Sequence, residues 1–164
     1  MKLITDRLII DQFKVSDIPE WCKIEADAEV RRFVDGKTLN AEQAAGYIHE
    51  NIKSYLEHGF GRYAVRLKDD PDAIIGMCGF VQEEYGIDFG YRYAVSSWRK
   101  GYGIEAAQAV LNYGRNDLAL AKIIGMAVAE NHGSNRVLEL LGFTLVENLV
   151  MHGFSVKKYV IETP

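Results

Sequence analysis

The residues whose types and spacing best fit a chemical task lie in one short stretch, Trp98-Arg99-Lys100-Gly101-Tyr102-Gly103-Ile104-Glu105-Ala106. Glycines let the backbone turn tightly, so that successive N–H groups point outward, and the start of a helix adds the positive end of its dipole. Arg99 and Lys100 place two positive charges on the same turn. The stretch therefore predicts a binding site for a pyrophosphate group, with a plain glycine turn before a helix as the alternative.

The same glycines also fit Gly-x-Gly-x-x-Ala, the fingerprint of dinucleotide-binding folds. That fingerprint normally follows the first strand of a doubly wound sheet and precedes a ribose-binding acid by about 20 residues. Here it begins at Gly101, which leaves too little chain for the remaining parallel strands. A Walker A loop is excluded because the sequence contains no Gly-Lys-Ser/Thr.

The elements that must position this turn follow from the spacing of apolar residues. The first part of the chain predicts a strand over residues 3–13, a short helix from residue 16, and a helix that begins with a capping box of Asn40 and Gln43 and ends near residue 57. Three strands separated by turns then predict an antiparallel meander, over residues 63–67, 73–82 and 87–95.

The second part of the chain alternates helices with strands. It predicts a helix over residues 101–118, a strand over 122–129, a helix over 132–141 that ends at Gly142, and two strands over 143–150 and 154–161. The unbroken apolar run of residues 122–129 implies cover on both faces, and the strand–helix–strand order implies a parallel crossover. Together the elements predict a single α+β domain over residues 1–164, built around one mixed sheet.

The glycine stretch resembles the Arg/Gln-x-x-Gly-x-Gly/Ala signature of the GNAT acetyltransferase superfamily. With Trp98 in first place it is similar to the ribosomal-protein N-terminal acetyltransferase, or RimJ/RimL-like, branch. Further matches follow in chain order: Thr5-Asp6-Arg7-Leu8, Ile75-Gly76 with Gly79, Phe89-Gly90-Tyr91, Glu130-Asn131-His132-Gly133-Ser134 and Leu141-Gly142-Phe143. The resemblance implies a mostly antiparallel, mixed seven-stranded sheet flanked by helices, in which the two central parallel strands splay apart.

The resemblance also implies that acetyl-CoA binds in the gap between the splayed strands. Its pantetheine arm would hydrogen-bond to the stretch from Tyr91 to Tyr93, where a backbone N–H would bind the thioester carbonyl. Its diphosphate would lie on the glycine turn, and Asn131 would contact the cofactor or cap the following helix. The implied cofactor-binding residues are Tyr91, Tyr93, Trp98, Arg99, Lys100, Gly101, Tyr102, Gly103, Ile104, Asn131 and Ser134.

The catalytic residues are less clearly marked because the sequence departs from the family pattern. Leu138 stands where many members have a tyrosine that acts as general acid, and Ala94-Val95 replaces the usual Asp-Pro or His-Pro pair. Ser134 becomes the candidate donor to the departing thiol. For a thiol with a pKa of about 8.5, protonation at pH 7 is worth about 2 kcal/mol.

The acceptor amine must lose a proton before it attacks, and several carboxylates could take it. An α-amine with a pKa near 8 costs about 1 to 1.5 kcal/mol to neutralise at pH 7, against about 4 to 5 kcal/mol for a lysine-like amine. No candidate base stands out, and Asp88 is placed first only because its strand would hold the thioester. The backbone of Tyr91 would stabilise charge on the carbonyl. The other candidates are Glu25, Glu83, Glu84 and His152.

Composition limits the other possible partners and the location. A net charge of −4 and an isoelectric point near 5.6 argue against nucleic-acid binding. Cys22 and Cys78 lie far apart without metal-ligand spacing, so we expect no metal site. No signal peptide or membrane span is evident, which predicts a soluble, cytoplasmic protein that does not enter membranes. The resemblance makes a homodimer plausible.

The sequence therefore favours an N-acetyltransferase that moves an acetyl group from acetyl-CoA to a primary amine in a ternary complex, without a covalent enzyme intermediate. The acceptor stays open among peptide N-termini, polyamines, aminoglycosides and small amino compounds, the first preferred by resemblance alone. A non-catalytic acyl-CoA sensor is the alternative, because Leu138 removes one proton donor and no base stands out. A nicotinamide enzyme that uses the same glycines is a third interpretation.

Overall fold

Eight strands form one mixed sheet in the computed structural model, which describes residues 1–163. The strands are β1 (Lys2–Ile4), β2 (Leu8–Gln12), β3 (Arg62–Leu67), β4 (Asp70–Glu83), β5 (Gly86–Tyr93), β6 (Lys122–Val128), β7 (Thr144–Met151) and β8 (Phe154–Glu162). The helices are α1 (Ile18–Glu25), α2 (Ala28–Arg31), α3 (Ala41–His58), α4 (Tyr102–Asn116) and α5 (His132–Leu140). The order across the sheet is β1-β2-β3-β4-β5-β6-β8-β7, and β5 with β6 is the parallel pair.

No helix in the described part of the chain is both long and apolar enough to span a membrane.

The predicted strand over residues 3–13 is wrong as a single element, which is why the sheet has eight strands and not seven. The chain turns back at residues 5–7, so that β1 and β2 form an antiparallel pair. Thr5 closes this turn, because its N–H donates to the Leu8 carbonyl and its hydroxyl oxygen accepts from the Leu8 N–H, both at 3.0 Å. The short helix α2 was also not predicted. Asp27 caps it by accepting from the Glu29 N–H at 2.9 Å.

The sheet separates two apolar cores, and β5 directs side chains to both faces of the sheet. Phe89 and Tyr93 belong to the core under α4 and α5, and Tyr91 packs against it. Because successive side chains on a strand point to opposite faces, Asp88, Gly90 and Arg92 face α1, α2 and α3. The predicted α+β architecture with helices on both faces is therefore confirmed, as is the capping box of Asn40 and Gln43 on α3.

The two central parallel strands meet only briefly. β5 and β6 pair at Asp88 with Ile124 and at Phe89 with Gly125, after which they separate. Beyond that point β5 stays paired to β4 as far as Tyr93, and β6 stays paired to β8 as far as Val128. The predicted splay of the central strands is thus present and opens a gap between them.

Candidate active site

A cavity of about 850 Å³ lies where β5 and β6 part. Its walls come from both strands, the loop before α4, the start of α5, and residues near α2. The cavity is lined by Ser134, Asp88 and Tyr91, the first-ranked catalytic candidates, and by all of the predicted cofactor-binding residues except Lys100 and Tyr102. The topology therefore brings residues from distant parts of the chain to one place.

The loop before α4 presents a row of free backbone donors. The N–H groups of residues 99–104 have no hydrogen-bond acceptor within residues 1–163. Arg99 and Gly101 have φ angles of 58° and 81°, in the left-handed region, and such alternation turns consecutive amides toward one point. Because α4 begins at Tyr102, its first-turn amides and the positive end of its dipole add to the same side. The arrangement suits a phosphate-rich ligand.

Arg7 and Glu105 hold this loop, and the sequence did not reveal their pairing. The Arg7 guanidinium donates from Nη1 to the Lys100 carbonyl at 2.8 Å and from Nε to Glu105 Oε2 at 2.7 Å. The Thr5 hydroxyl and the Arg7 N–H donate to the other carboxylate oxygen at 2.6 and 2.9 Å. Arg7 also covers the Tyr102 ring at 4.6 Å, so Tyr102 offers the site its amide and not its side chain. Burial acts to raise the pKa of Glu105, but the hydrogen bonds from Thr5 and Arg7 outweigh it and lower that pKa.

Beyond Phe89, the edge of β5 that faces the gap presents backbone hydrogen-bonding groups that do not pair with β6. The Ala94 N–H donates to the Ile75 carbonyl at 2.8 Å, on the β4 side. Backbone groups alternate along a strand, so those of Tyr91 and Tyr93 point the other way, toward β6. The Tyr93 carbonyl accepts from Trp98 Nε1 at 2.8 Å, which ties the glycine loop to the end of β5. The remaining groups can pair with an extended ligand as a neighbouring strand would.

Residues 7–144 match the family described as acetyltransferase (GNAT) domain. The chain belongs to the GNAT acetyltransferase family. It is therefore an acetyltransferase, and acetyl-CoA is the acetyl donor that this family uses.

Several relatives agree with this assignment. The chain is 29% identical over 144 residues to the uncharacterized N-acetyltransferase YnaD of Bacillus subtilis, covering 87% of this chain and 82% of YnaD. It is 30% identical over 145 residues to the uncharacterized N-acetyltransferase p20 of Bacillus licheniformis, covering 86% and 81%. A GNAT-family acetyltransferase from Bacillus anthracis superimposes with a TM-score of 0.86 at 24% identity, over 99% of this chain and 98% of that one. RimL, a ribosomal L7/L12 alpha-N-protein acetyltransferase in complex with coenzyme A, superimposes with a TM-score of 0.83 at 16% identity, over 98% and 97%.

In this acetyltransferase Ser134 and Tyr91 form a closed hydrogen-bonded pair. The Ser134 hydroxyl donates to Tyr91 Oη at 3.1 Å, and Tyr91 Oη donates to the Ser134 carbonyl at 2.9 Å. Asn131 caps α5 by accepting from the Ser134 N–H at 3.2 Å, so the capping role predicted for it is present. Burial raises the pKa of Tyr91, with the hydrogen bond to Ser134 acting the other way, so the phenol keeps its proton at neutral pH.

Leu138, at the position where many family members have a tyrosine, is a core residue. Its side chain is 1% exposed and packs on β6, where a Cβ added at Gly125 would lie 2.6 Å from Leu138 Cδ2. The sequence showed the loss of a tyrosine at position 138. It gave no signal that Tyr91 would bring another phenol to Ser134, because the two residues are 43 positions apart.

Asp88 is engaged by an arginine that the sequence did not single out. Arg62 crosses from β3 over β4 and β5, donates from Nη1 to the Gly79 carbonyl at 2.5 Å, and forms an ion pair through Nη2 with Asp88 Oδ2. A Cβ at Gly90 would lie 2.9 Å from both Nη atoms of Arg62, so the glycine leaves room for the guanidinium to cross β5. Asp88 Oδ1 accepts only from the Tyr85 hydroxyl, at 3.3 Å, among the residues described.

The other candidate bases are differently placed. Glu25 is fully buried and lies between two guanidinium groups, 2.8 Å from Arg31 Nη1 and 2.7 Å from Arg92 Nε, so its expected role as a free base is not supported. Glu83 and Glu84 are exposed and do not line the cavity. His152 does line the cavity, from an exposed turn with a φ of 50°. Asp88 is the one carboxylate of the predicted set that reaches the cavity.

Proposed function

We propose that this protein transfers an acetyl group from acetyl-CoA to a primary amine, of a peptide N-terminus or of a small molecule, by direct attack in a ternary complex. The observation that carries the proposal is the row of free N–H groups at residues 99–104, at the mouth of the gap between β5 and β6. The order of sequence motifs and the likeness to RimL favour the RimJ/RimL-like branch and, with it, an α-amine acceptor.

The residues present fit acetyl-CoA along the length of the cavity. The amides of residues 99–104 would hold the diphosphate, with Arg99 and Lys100 adding charge. The free backbone edge at Tyr91 and Tyr93 would pair with the pantetheine arm. When bound, acetyl-CoA supplies a thioester carbonyl that an amine attacks, and the Tyr91 N–H would donate to that oxygen.

The Ser134–Tyr91 pair would supply the proton that the departing thiol needs. Both residues line the cavity, and the hydrogen bond from the Ser134 hydroxyl to Tyr91 Oη lets a proton given up by Tyr91 be replaced from Ser134. For a thiol with a pKa of about 8.5, this assistance is worth about 2 kcal/mol at pH 7. The α5 helix cap at Asn131 holds Ser134 in position for this step.

Asp88 would receive the proton from the acceptor amine through Oδ1, the carboxylate oxygen that Arg62 does not occupy. Arg62 fixes the carboxylate by occupying Oδ2, and among residues 1–163 Oδ1 has only the Tyr85 hydroxyl as a partner. Asp88 and Tyr85 both line the cavity. Removing this proton is easy for an α-amine, because neutralising an amine with a pKa near 8 costs only about 1 to 1.5 kcal/mol at pH 7.

Thiol release from acetyl-CoA, measured with a panel of primary amines, tests the proposal directly. We expect release that depends on an amine, and calorimetry should detect coenzyme A but not NAD. Arg99→Glu should weaken coenzyme A binding, whereas Arg115→Glu, at the other end of α4 and away from the cavity, should not. Binding of coenzyme A without turnover of any amine would favour the acyl-CoA sensor instead.

A further inference from the structure

Arg92 presents unused hydrogen-bond donors inside the cavity. Its side chain is only 10% exposed, lines the cavity, and forms no hydrogen bond with any of residues 1–163. Its ionic contact is the 2.7 Å approach of Nε to Glu25 Oε1, and these two atoms are sealed from solvent but poorly aligned for a hydrogen bond. The Nη atoms, unlike Nε, keep some solvent-accessible surface, so they form the end of the guanidinium that reaches the cavity.

The guanidinium is held rigidly in this position. Its Cζ lies 5.5 Å from the ring centroids of both Trp21 and Tyr47, which stack on each other at 5.1 Å. Cations are attracted to aromatic faces at this range, and Glu25 fixes the Nε edge from the buried side. A guanidinium fixed in this way needs little ordering when a ligand arrives.

The charges around Arg92 are only partly balanced. Glu25 is one carboxylate shared by two guanidinium groups, since Arg31 Nη1 also lies 2.8 Å from it. Asp35 pairs with the second Nη of Arg31 at 2.9 Å and not with Arg92. The other deeply placed arginine of the cavity, Arg62, is already paired with Asp88. Of these three arginines, Arg92 is thus the one whose Nη donors are free for a ligand. The two parallel N–H donors of a guanidinium group match the geometry of a carboxylate.

The position of Arg92 relates this anion site to the acceptor amine. Arg92 lies between Tyr91 and Tyr93, whose backbone groups face the gap, and its side chain projects on the face of the sheet opposite Ser134 and α5. We propose that the acceptor amine carries a carboxylate a few bonds away, and that the Nη groups of Arg92 bind this carboxylate. The inference rests on the proposed function and narrows its acceptor to acidic amines. The carboxylate could belong to a free amino acid or to an acidic first residue of a peptide.

Matched acid and amide acceptors test this inference. We would measure kcat/KM for free amino acids against their amides, and for short peptides beginning with aspartate against those beginning with asparagine. We expect the wild-type protein to prefer the acid in at least one series, and that series identifies the source of the carboxylate. Arg92→Met should reduce the acid-to-amide ratio by about tenfold to a hundredfold, without changing KM for acetyl-CoA.

An acid and its amide also differ in the basicity of their amines. This difference is the same for every protein variant, so it cancels when the acid-to-amide ratio of kcat/KM is compared between wild type and variant. Arg92→Lys keeps the charge but not the fork, so it should fall between wild type and Arg92→Met. Arg136→Met, a change of the same kind at an exposed arginine of α5, should leave the ratio unchanged. Arg92→Met would leave the buried Glu25 carboxylate with one positive partner fewer, and the variant could fail to fold for that reason. The double variant Glu25→Gln/Arg92→Met removes this carboxylate and allows the same measurement.

A binding measurement separates failure of this inference from failure of the proposed function. NMR titration of the protein saturated with coenzyme A would compare each acid with its amide, whether or not acetyl transfer occurs. Tighter binding of the acid that is lost in Arg92→Met supports the site even without turnover. Acid-to-amide ratios equal in wild type and Arg92→Met, in both turnover and binding, would overturn it while leaving amine acetylation intact.

Discussion

The Ser134 hydroxyl donates its proton to Tyr91 Oη at 3.1 Å, and the same Tyr91 oxygen donates its own proton back to the Ser134 carbonyl at 2.9 Å. A proton that Tyr91 gives to a ligand can therefore be replaced by the proton of Ser134. The two residues should therefore act as one unit, contributed by β5 and α5 from opposite sides of the gap.

We expect Ser134→Ala and Tyr91→Phe each to lower kcat by up to about thirtyfold at pH 7, the equivalent of about 2 kcal/mol for protonating the thiol. Because the residues act together, the double variant should lose no more than the worse single variant. The deficit should shrink above about pH 8.5, where the thiol leaves as a thiolate unaided. Losses that multiply in the double variant, or a deficit independent of pH, would refute the shared role.

Asp88→Asn should slow the reaction by an amount that depends on the acceptor. Without a base, only the neutral fraction of the amine reacts, which at pH 7 is about one tenth for an α-amine and less than about one thousandth for a lysine-like amine. The rate should recover as the pH approaches the pKa of the amine. Initial rates across this pH range, with exposed Glu84→Gln as the control, check the expectation. A loss that persists at high pH would instead assign Asp88 a purely structural role with Arg62.

Glu105→Gln should weaken acetyl-CoA binding although Glu105 does not contact the predicted diphosphate. Its carboxylate holds Arg7, and Arg7 holds the Lys100 carbonyl in the loop whose amides are free. Because Arg7 is partly exposed, we expect a modest rise of about threefold to tenfold in KM for acetyl-CoA, with kcat nearly unchanged. Glu42→Gln, in the first turn of α3, is the matched control. An unchanged KM would show that the loop holds its shape without Arg7.

The same variant carries a pH signature in stability. The hydrogen bonds from Thr5 and Arg7 lower the pKa of Glu105 in the folded protein, despite burial, relative to an unfolded value near 4.3. A lowered folded pKa means that the stabilisation is fully present above the unfolded pKa and is lost as the pH falls through the folded pKa. The difference in unfolding free energy between wild type and Glu105→Gln should therefore be constant near neutrality and shrink below about pH 4. Urea unfolding at a series of pH values measures it.

The parts of the site that sequence alone could predict are those whose chemistry is local. The amides of residues 99–104 belong to consecutive residues, so glycine spacing and a helix start were enough to place them. The pairs Arg7 with Glu105, Arg62 with Asp88 and Tyr91 with Ser134 are 98, 26 and 43 residues apart. They depend on strand order and on which face each side chain takes, and neither follows from a local pattern.

The fold shows the same division between local and distant causes. Periodicity and caps predicted the helices α3, α4 and α5 and the meander of β3, β4 and β5. The hairpin of β1 and β2 was predicted as one strand, because apolar residues continue on both sides of the polar turn at residues 5–7. The turn is stabilised by Thr5 with Leu8, and Thr5 and Arg7 within it are also fixed by Glu105 from α4. That contact could not be anticipated from the hairpin sequence.

Two helical glycines should respond in opposite ways to alanine. In α4, a Cβ at Gly114 would lie 2.3 Å from Phe80 Cζ in the core, so Gly114→Ala must push a packed ring and should destabilise the fold by about 1 to 3 kcal/mol. In α3, a Cβ at Gly46 would meet no atom of residues 1–163 within 4 Å, so Gly46→Ala should stabilise the fold by about 0.5 to 1 kcal/mol through helix propensity. Thermal and urea unfolding of both variants measure the difference. Stabilisation by both changes would mean that Phe80 moves aside easily and that α4 does not depend on this close approach to the sheet.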